Sequence, residues 1–159
     1  MKTATVRELK TELSHSSQSE LLDLCLRLSR FKKENKELLT YLLFESSNEE
    51  GYKEAIKVEV DELFEAINVS SYYFIKKSAR KILRLIKKYN RYSLNKETEV
   101  ELLLYFCIKL NNFYPSIKRN VTLTNLLNRQ VAFVKKKVAL LHEDLQYDFQ
   151  IEINKIETN

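Results

Sequence analysis

Few side chains in this sequence are of a type that does chemistry. Two histidines stand at 15 and 142, and two cysteines at 25 and 107. His142 is followed directly by Glu143 and Asp144, which places an imidazole next to two carboxylates in the chain. On a continuous helix, however, His142 and Asp144 would point about 200° apart, and the same-face neighbours of His142 are Leu145 and Gln146. No H-E-x-x-H pattern is present, and the helical E-x-x-H pair of di-iron bundles would need Glu where Ala139 stands. His15 sits in the polar loop SHSS and reads as solvated.

Cys25 and Cys107 lie in the runs LLDLCLRL and LLLYFCIKL, where a thiol behaves as a small core hydrophobe. A disulfide between them, or a pairing of either with His142, would have to draw them out of that setting. The carboxylates of Glu59, Asp61, Glu62 and Glu65 are dense, but acids at that spacing mark the water-facing side of an amphipathic helix. The expectation is therefore a protein with no catalytic residue, no metal ligand and no cofactor.

Positive charge is the more informative chemistry. The formal net charge of +5 conceals strong segregation. Residues 1–65 hold 10 basic and 14 acidic side chains, whereas residues 66–96 hold nine basic and none acidic. Residues 102–142 add seven more basic residues without an acid, and the stretch from Glu143 onward carries five acids and one lysine. At 100° per residue, Lys77, Arg80, Lys81, Arg84, Lys88 and Arg91 fall in one arc of a helix, and Ile75, Ala79, Ile82, Leu83, Ile86 and Tyr89 fall opposite. One face is core and the other a stripe of like charge, which repels itself by a few tenths of a kcal/mol per i,i+4 pair. Such a stripe fits an acidic cover: nucleic acid, an acidic protein partner, a membrane surface, or the chain's own segments 54–65 and 143–148. A solvated face with aliphatic stems shielding the core is the plainer alternative. Lys118, Arg119, Arg129, Lys135, Lys136 and Lys137 would extend the patch if the last helices lay beside it. Tyr72, Tyr73, Phe74, Tyr89 and Tyr92 offer stacking platforms for bases at the ends of the stripe, although aromatics at such helix spacings are more often core. No helix-turn-helix, zinc-finger or RNP signature accompanies them.

The elements that must position these groups are helices. One Gly and one Pro among 159 residues leave too few turn residues for a sandwich, a barrel or a Gly-cradled phosphate loop. A composition 44% hydrophobic and 31% charged argues against disorder. The periodicity predicts an all-α single domain over residues 1–159, built from about seven helices in antiparallel pairs. Capping boxes at Thr5-x-x-Glu8 and Ser17-x-x-Glu20 start helices reaching about Leu13 and Phe31. A third helix covers about 33–46, and Ser47-x-x-Glu50 starts a fourth with Tyr52, Ile56, Val60, Leu63 and Ile67 on one stripe. Ser70 or Ser71 caps the basic helix, which reaches Tyr92. Asn95 caps a helix over about 96–113, ahead of Pro115, whose LLLYFCI stretch is apolar all round and so central. Leu127, Val131, Val134, Val138, Leu141, Leu145 and Phe149 keep 3–4 spacing, which predicts one final helix over about 122–153 and roughly 45 Å long. A helix of that length offers a route to a homo-oligomer.

Leu21, Leu22, Cys25, Leu28 and Phe31 recur as Leu103, Leu104, Cys107, Leu110 and Phe113 at a constant offset of 82. The echo suggests an internal duplication, about 18–67 and 100–153. In helix pairs and short links the chain resembles a short helical-repeat protein of the armadillo or HEAT type, or a bacterial helical family of that shape. That resemblance implies an architecture of stacked helix pairs and no active site. The N-terminus MKTATVRELKTELS has no apolar core and is not a signal peptide, and no stretch suffices for a membrane span. The expectation is a cytoplasmic, non-enzymatic interaction module whose basic helical face engages an anionic partner. Sequence-tolerant binding to DNA or RNA is the alternative.

Overall fold

The computed structural model describes residues 1–158. Every regular element among them is helical, with eight α-helices in chain order. They group into two compact units, residues 1–44 and the chain from Glu45 onward.

The first unit holds α1 (Val6–Ser14), α2 (Gln18–Phe31) and α3 (Lys33–Thr40). Both predicted capping boxes form. The Thr5 and Ser17 side chains accept from the Glu8 and Glu20 backbone N–H groups, and each glutamate accepts from the cap residue's own N–H at 2.7 Å. Lys32 alone, in extended conformation, separates α2 from α3 and stops α2. Asn35 Nδ2 donates to the Leu28 carbonyl at 2.8 Å, and Cys25 and Leu28 share a groove with Leu38, Leu39 and Leu42, so α2 and α3 form an antiparallel hairpin. No residue of α1, α2 or α3 is buried. A five-residue π-turn, Tyr41–Glu45, ends α3 six residues short of the predicted helix end.

The second unit holds α4 (Glu49–Glu65), α5 (Tyr72–Ser93), α6 (Lys96–Asn111), α7 (Val121–Val138) and α8 (Glu143–Thr158), with a 3₁₀ turn at Ile117–Arg119. The predicted Ser47–Glu50 box is replaced by Asn48, whose Oδ1 accepts from Gly51 N at 3.0 Å. A Cβ on residue 51 would come within 2.4 Å of the Asn48 side chain, so glycine there leaves room for this cap. Asn95 caps α6 as expected, accepting from the N–H groups of Glu97 and Thr98. The turn before it rests on Leu94, which takes the left-handed conformation with φ 56°. Glu49 ties the start of α4 to this turn, accepting from Ser93 Oγ and from Thr98 Oγ1.

α6 is the central helix, packed by α4, α5, α7 and α8. Val100, Leu102, Leu103, Leu104, Phe106, Cys107 and Leu110 are all buried, which accounts for its apolar circumference. Cross-links give the directions. Tyr52 near the start of α4 donates to the Tyr89 carbonyl near the end of α5, so that pair is antiparallel. Lys53–Glu101 and Asp61–Lys109 hold α4 parallel to α6, and Lys137–Glu99 holds α7 antiparallel to α6.

Two further expectations fail. The final long helix is broken at 139–142, where turn-type bonds Leu140 N to Lys137 O and Leu141 N to Val138 O end α7. α8 then packs against both α6 and α7, burying Ile153 and Ile156. A kinked return buries apolar surface on the central helix that a straight rod would leave in water. The route to an oligomer through one long C-terminal helix is thereby removed. Cys25 is the second failure, for it is exposed while Cys107 is buried, and both thiols are free. The echo at offset 82 pairs unlike environments: Leu104 and Leu110 are 3% and 0% exposed, whereas Leu22 and Leu28 are 58% and 59% exposed.

Candidate anion-binding face

The basic helix forms as its pattern requires. In α5, Ile75, Ala79, Ile82, Leu83 and Ile86 are buried on one side. Lys77, Arg80, Lys81, Arg84 and Arg91 are exposed on the other, and Lys88 is half-buried. The structure thus brings all six predicted residues onto one side of one helix. Lys88 differs from the rest, since its ammonium lies over the Tyr89 ring at 4.8 Å and near the Tyr92 ring at 6.0 Å. Lys76 and Lys87 were not in the predicted set, and Tyr73 was named only for stacking. They join Lys77, Arg80, Leu83 and Arg84 around a shallow groove of about 620 Å³.

Several of the chain's own acids are engaged elsewhere. Glu101 pairs with Lys53 at 2.5 Å and with Lys57 at 2.7 Å, and Asp61 pairs with Lys109 at 2.8 Å. Glu50 and Glu54 complete the α4 network through Lys53 and Lys57. Glu99 takes Lys137 and Glu157 takes Lys135. Among the described residues, Lys77, Arg80, Lys81, Arg84 and Arg91 have no carboxylate within ion-pair distance. Neither acidic segment that could have covered the stripe pairs with any of these five.

Of the suggested extensions, Lys135 and Lys137 are spent in those ion pairs, and Arg129 donates to the Asn125 carbonyl. Lys137 still borders the face, because it and Lys87 both approach the Phe133 ring, at 5.2 and 5.9 Å. The aromatics divide in the same way. Tyr72 donates to the Ser116 carbonyl, Tyr89 donates to Glu59, and Tyr92 is buried, so these three serve the fold. Tyr73 and Phe74, 64% and 42% exposed, form an edge-to-face pair beside Lys76 and Lys77.

The other reactive groups do not converge. His142 lies in the break between α7 and α8, so its helical geometry is not realised. Its Nδ1 stands 3.5 Å from an Asp144 carboxylate oxygen, with both side chains mostly in water. Burial pushes the Cys107 thiol up to about 12, the reverse of what an attacking thiolate needs. Glu50, Glu54 and Glu101 bring carboxylate oxygens within 4.8 Å of one another, a spacing that could hold a cation. The ammonium groups of Lys53 and Lys57 already fill that role. Desolvation alone would raise Glu101, but hydrogen bonds and charge from Lys53 and Lys57 outweigh it and hold the carboxyl below its ordinary range. Asp61 is held down in the same way by Lys109 and by the Tyr105 hydroxyl, again against desolvation.

No protein-family model, curated protein or solved structure matches the chain. No helix among the described residues is long and apolar enough to cross a membrane.

Proposed function

We propose that the protein is a non-enzymatic interaction module that binds an acidic protein partner along the exposed face of α5. The observation that carries this reading is the absence of internal cover on Lys77, Arg80, Lys81, Arg84 and Arg91, in a chain that pairs Lys53, Lys57, Lys109, Lys135 and Lys137 with its own carboxylates. Lys77 to Arg91 extend about 20 Å along the helix, a length that suits an acidic helix or strand laid alongside. Single exposed cations are worth little, but several aligned ones raise the association rate and select for charge.

Tyr73 and Phe74 favour a second reading, sequence-tolerant binding of single-stranded nucleic acid. They offer exposed ring faces at one end of the phosphate-length stripe, and base stacking on such rings adds about 1–3 kcal/mol per base.

Fluorescence anisotropy separates the two. Labelled acidic peptide, single-stranded and duplex DNA, and RNA are titrated with the full chain at three salt concentrations. Peptide binding without polynucleotide binding supports the first reading. Polynucleotide binding that weakens with salt, with a log–log slope of about −3 to −4 for five phosphate contacts, supports the second. Either must disappear in the Lys77→Glu/Arg80→Glu/Arg84→Glu chain while its helical circular dichroism is retained, since that face lies opposite the core. No binding to any probe at low salt would reject both.

A further inference from the structure

The exposed cations of α5 follow a stricter order than a stripe. Lys77, Arg80, Arg84, Lys87 and Arg91 succeed one another at 3, 4, 3 and 4 residues, and Tyr73 extends the series 4 residues ahead of Lys77. That alternation is the seam of a two-helix coiled coil, written here in cations. At 100° per residue the six side chains share one arc of about 80°, and all six are exposed. Lys81 and Lys88 fall outside the arc, and the Lys88 ammonium is held over the Tyr89 and Tyr92 rings. Lys87 falls inside it. Like the other four seam cations, Lys87 has no carboxylate within ion-pair distance among the described residues. All of the series but Arg91 border the groove of about 620 Å³, with the buried Leu83 along its inner edge. The seam is therefore a concave track.

Resting on the acidic-partner reading above, we infer that the partner presents an α-helix whose carboxylates keep the same 3–4 alternation, laid along α5 from Tyr73 to Arg91. Spacing selects the helix. The seam cations step along the axis by about 4.5 and 6 Å in turn, and a second helix offers carboxylates at those same steps. Same-side groups of an extended strand recur about every 6.7 Å, so a strand in register at Lys77 stands about 3 Å out of step at Arg84. Charge selects the sign. A second copy of α5 would set cation against cation, whereas an acidic seam meets each one with its opposite. The aliphatic stems of the lysines and arginines, with Leu83 and the Tyr73 ring, line the track with apolar surface for the partner's backbone side. The contact leaves out Lys81, which lies about 80° from the centre of the arc, and takes in Lys87.

The test uses the full chain and two labelled, alanine-rich peptides of about three heptads and identical composition. One carries its glutamates at 3–4 spacing on one side, and the other spreads them around the helix. Fluorescence anisotropy should show the one-sided peptide binding at least tenfold more tightly, and the mixture should gain helical dichroism over the sum of its parts. Lys87→Glu should weaken that binding at least tenfold, and Lys81→Glu by threefold at most. Both side chains are exposed, so both variants should keep the native dichroism. Equal affinity for the two peptides, or equal losses from the two substitutions, overturns the helix inference and leaves the acidic-partner reading standing. Failure of both peptides to bind at low salt overturns the inference and the reading together, and binding of polynucleotide in their place points to the second reading.

Discussion

Replacing Glu101 by Gln removes the charge that α6 places between two lysines of α4. The Lys53 and Lys57 ammonium groups lie 2.5 and 2.7 Å from its two oxygens, and the Lys53 side chain is only 8% exposed. Unit charges about 4 Å apart attract by about 4 kcal/mol at an effective dielectric constant near 20, but desolvation of both partners cancels much of that. Breaking a fully buried pair costs about 3–5 kcal/mol through the charge left behind. Here Glu101 is 22% exposed and Lys53 keeps Glu50 at 2.7 Å, so the expected loss is about 2 kcal/mol. The pH dependence has a definite sign. Glu101 titrates below its ordinary value of 4.5 in the folded chain, so its contribution is complete above about that pH and fades as acid carries the solution through the lower, folded value. Lys53 and Lys57 are shifted upward, so their share is intact at neutral pH and is lost only in strong base, above their ordinary 10.5. Urea unfolding followed by circular dichroism, at neutral pH and at about pH 3, should show a gap between wild type and Glu101→Gln that narrows in acid. Lys53→Met in a double-mutant cycle should recover most of the gap as coupling. A gap under about 0.5 kcal/mol at neutral pH, or one undiminished by acid, would refute the reasoning.

Three further outcomes are expected. Leu104→Asp places an unpaired carboxylate at a site 3% exposed in the central helix and should abolish cooperative thermal unfolding of α4–α8; a sharp transition within a few degrees of wild type would contradict that placement. Leu94→Gly should raise stability by about 0.5–1 kcal/mol, because a side chain 82% exposed contributes no packing while its left-handed backbone is strained. Calorimetry that shows a loss would contradict it. In a Cys25→Ser chain, the remaining Cys107 thiol should react with a disulfide reagent only on unfolding, since it is fully buried and its ionisation is pushed to about 12; prompt native labelling would count against the core described.

What the sequence made legible was local. Thr5–Glu8, Ser17–Glu20 and Asn95 are caps whose bonds close within three residues, so the residues alone specify them. The face of α5 was equally readable, because helical angle needs no neighbour. Non-local facts were not. The seam from Leu127 to Phe149 keeps its spacing straight through the break at 139–142, and periodicity does not report a change of axis. The signal that could have found the break is charge: Lys135–Lys137 at one helix end and Glu143–Asp144 at the next start, each suited to its dipole. Cys25 was misplaced for a related reason. A stripe of leucines says which side of α2 seeks cover, and only the assembled chain says whether cover arrives. The acids near the basic stripe were likewise visible, but their commitment to Lys53, Lys57 and Lys109 depends on how α4 meets α6.

The bare α5 face makes the protein respond to dissolved ions in two opposed senses. In the free chain, counter-ions within the Debye length of about 8 Å relieve the mutual repulsion of Lys77, Arg80, Lys81 and Arg84, so added salt should raise the melting point. With a ligand seated, the same ions compete for those cations, and the stabilisation that binding confers, RT ln(1 + [L]/Kd), shrinks as Kd grows. Heat-denaturation curves of the free and occupied forms should therefore draw together as ionic strength increases, one rising while the other falls.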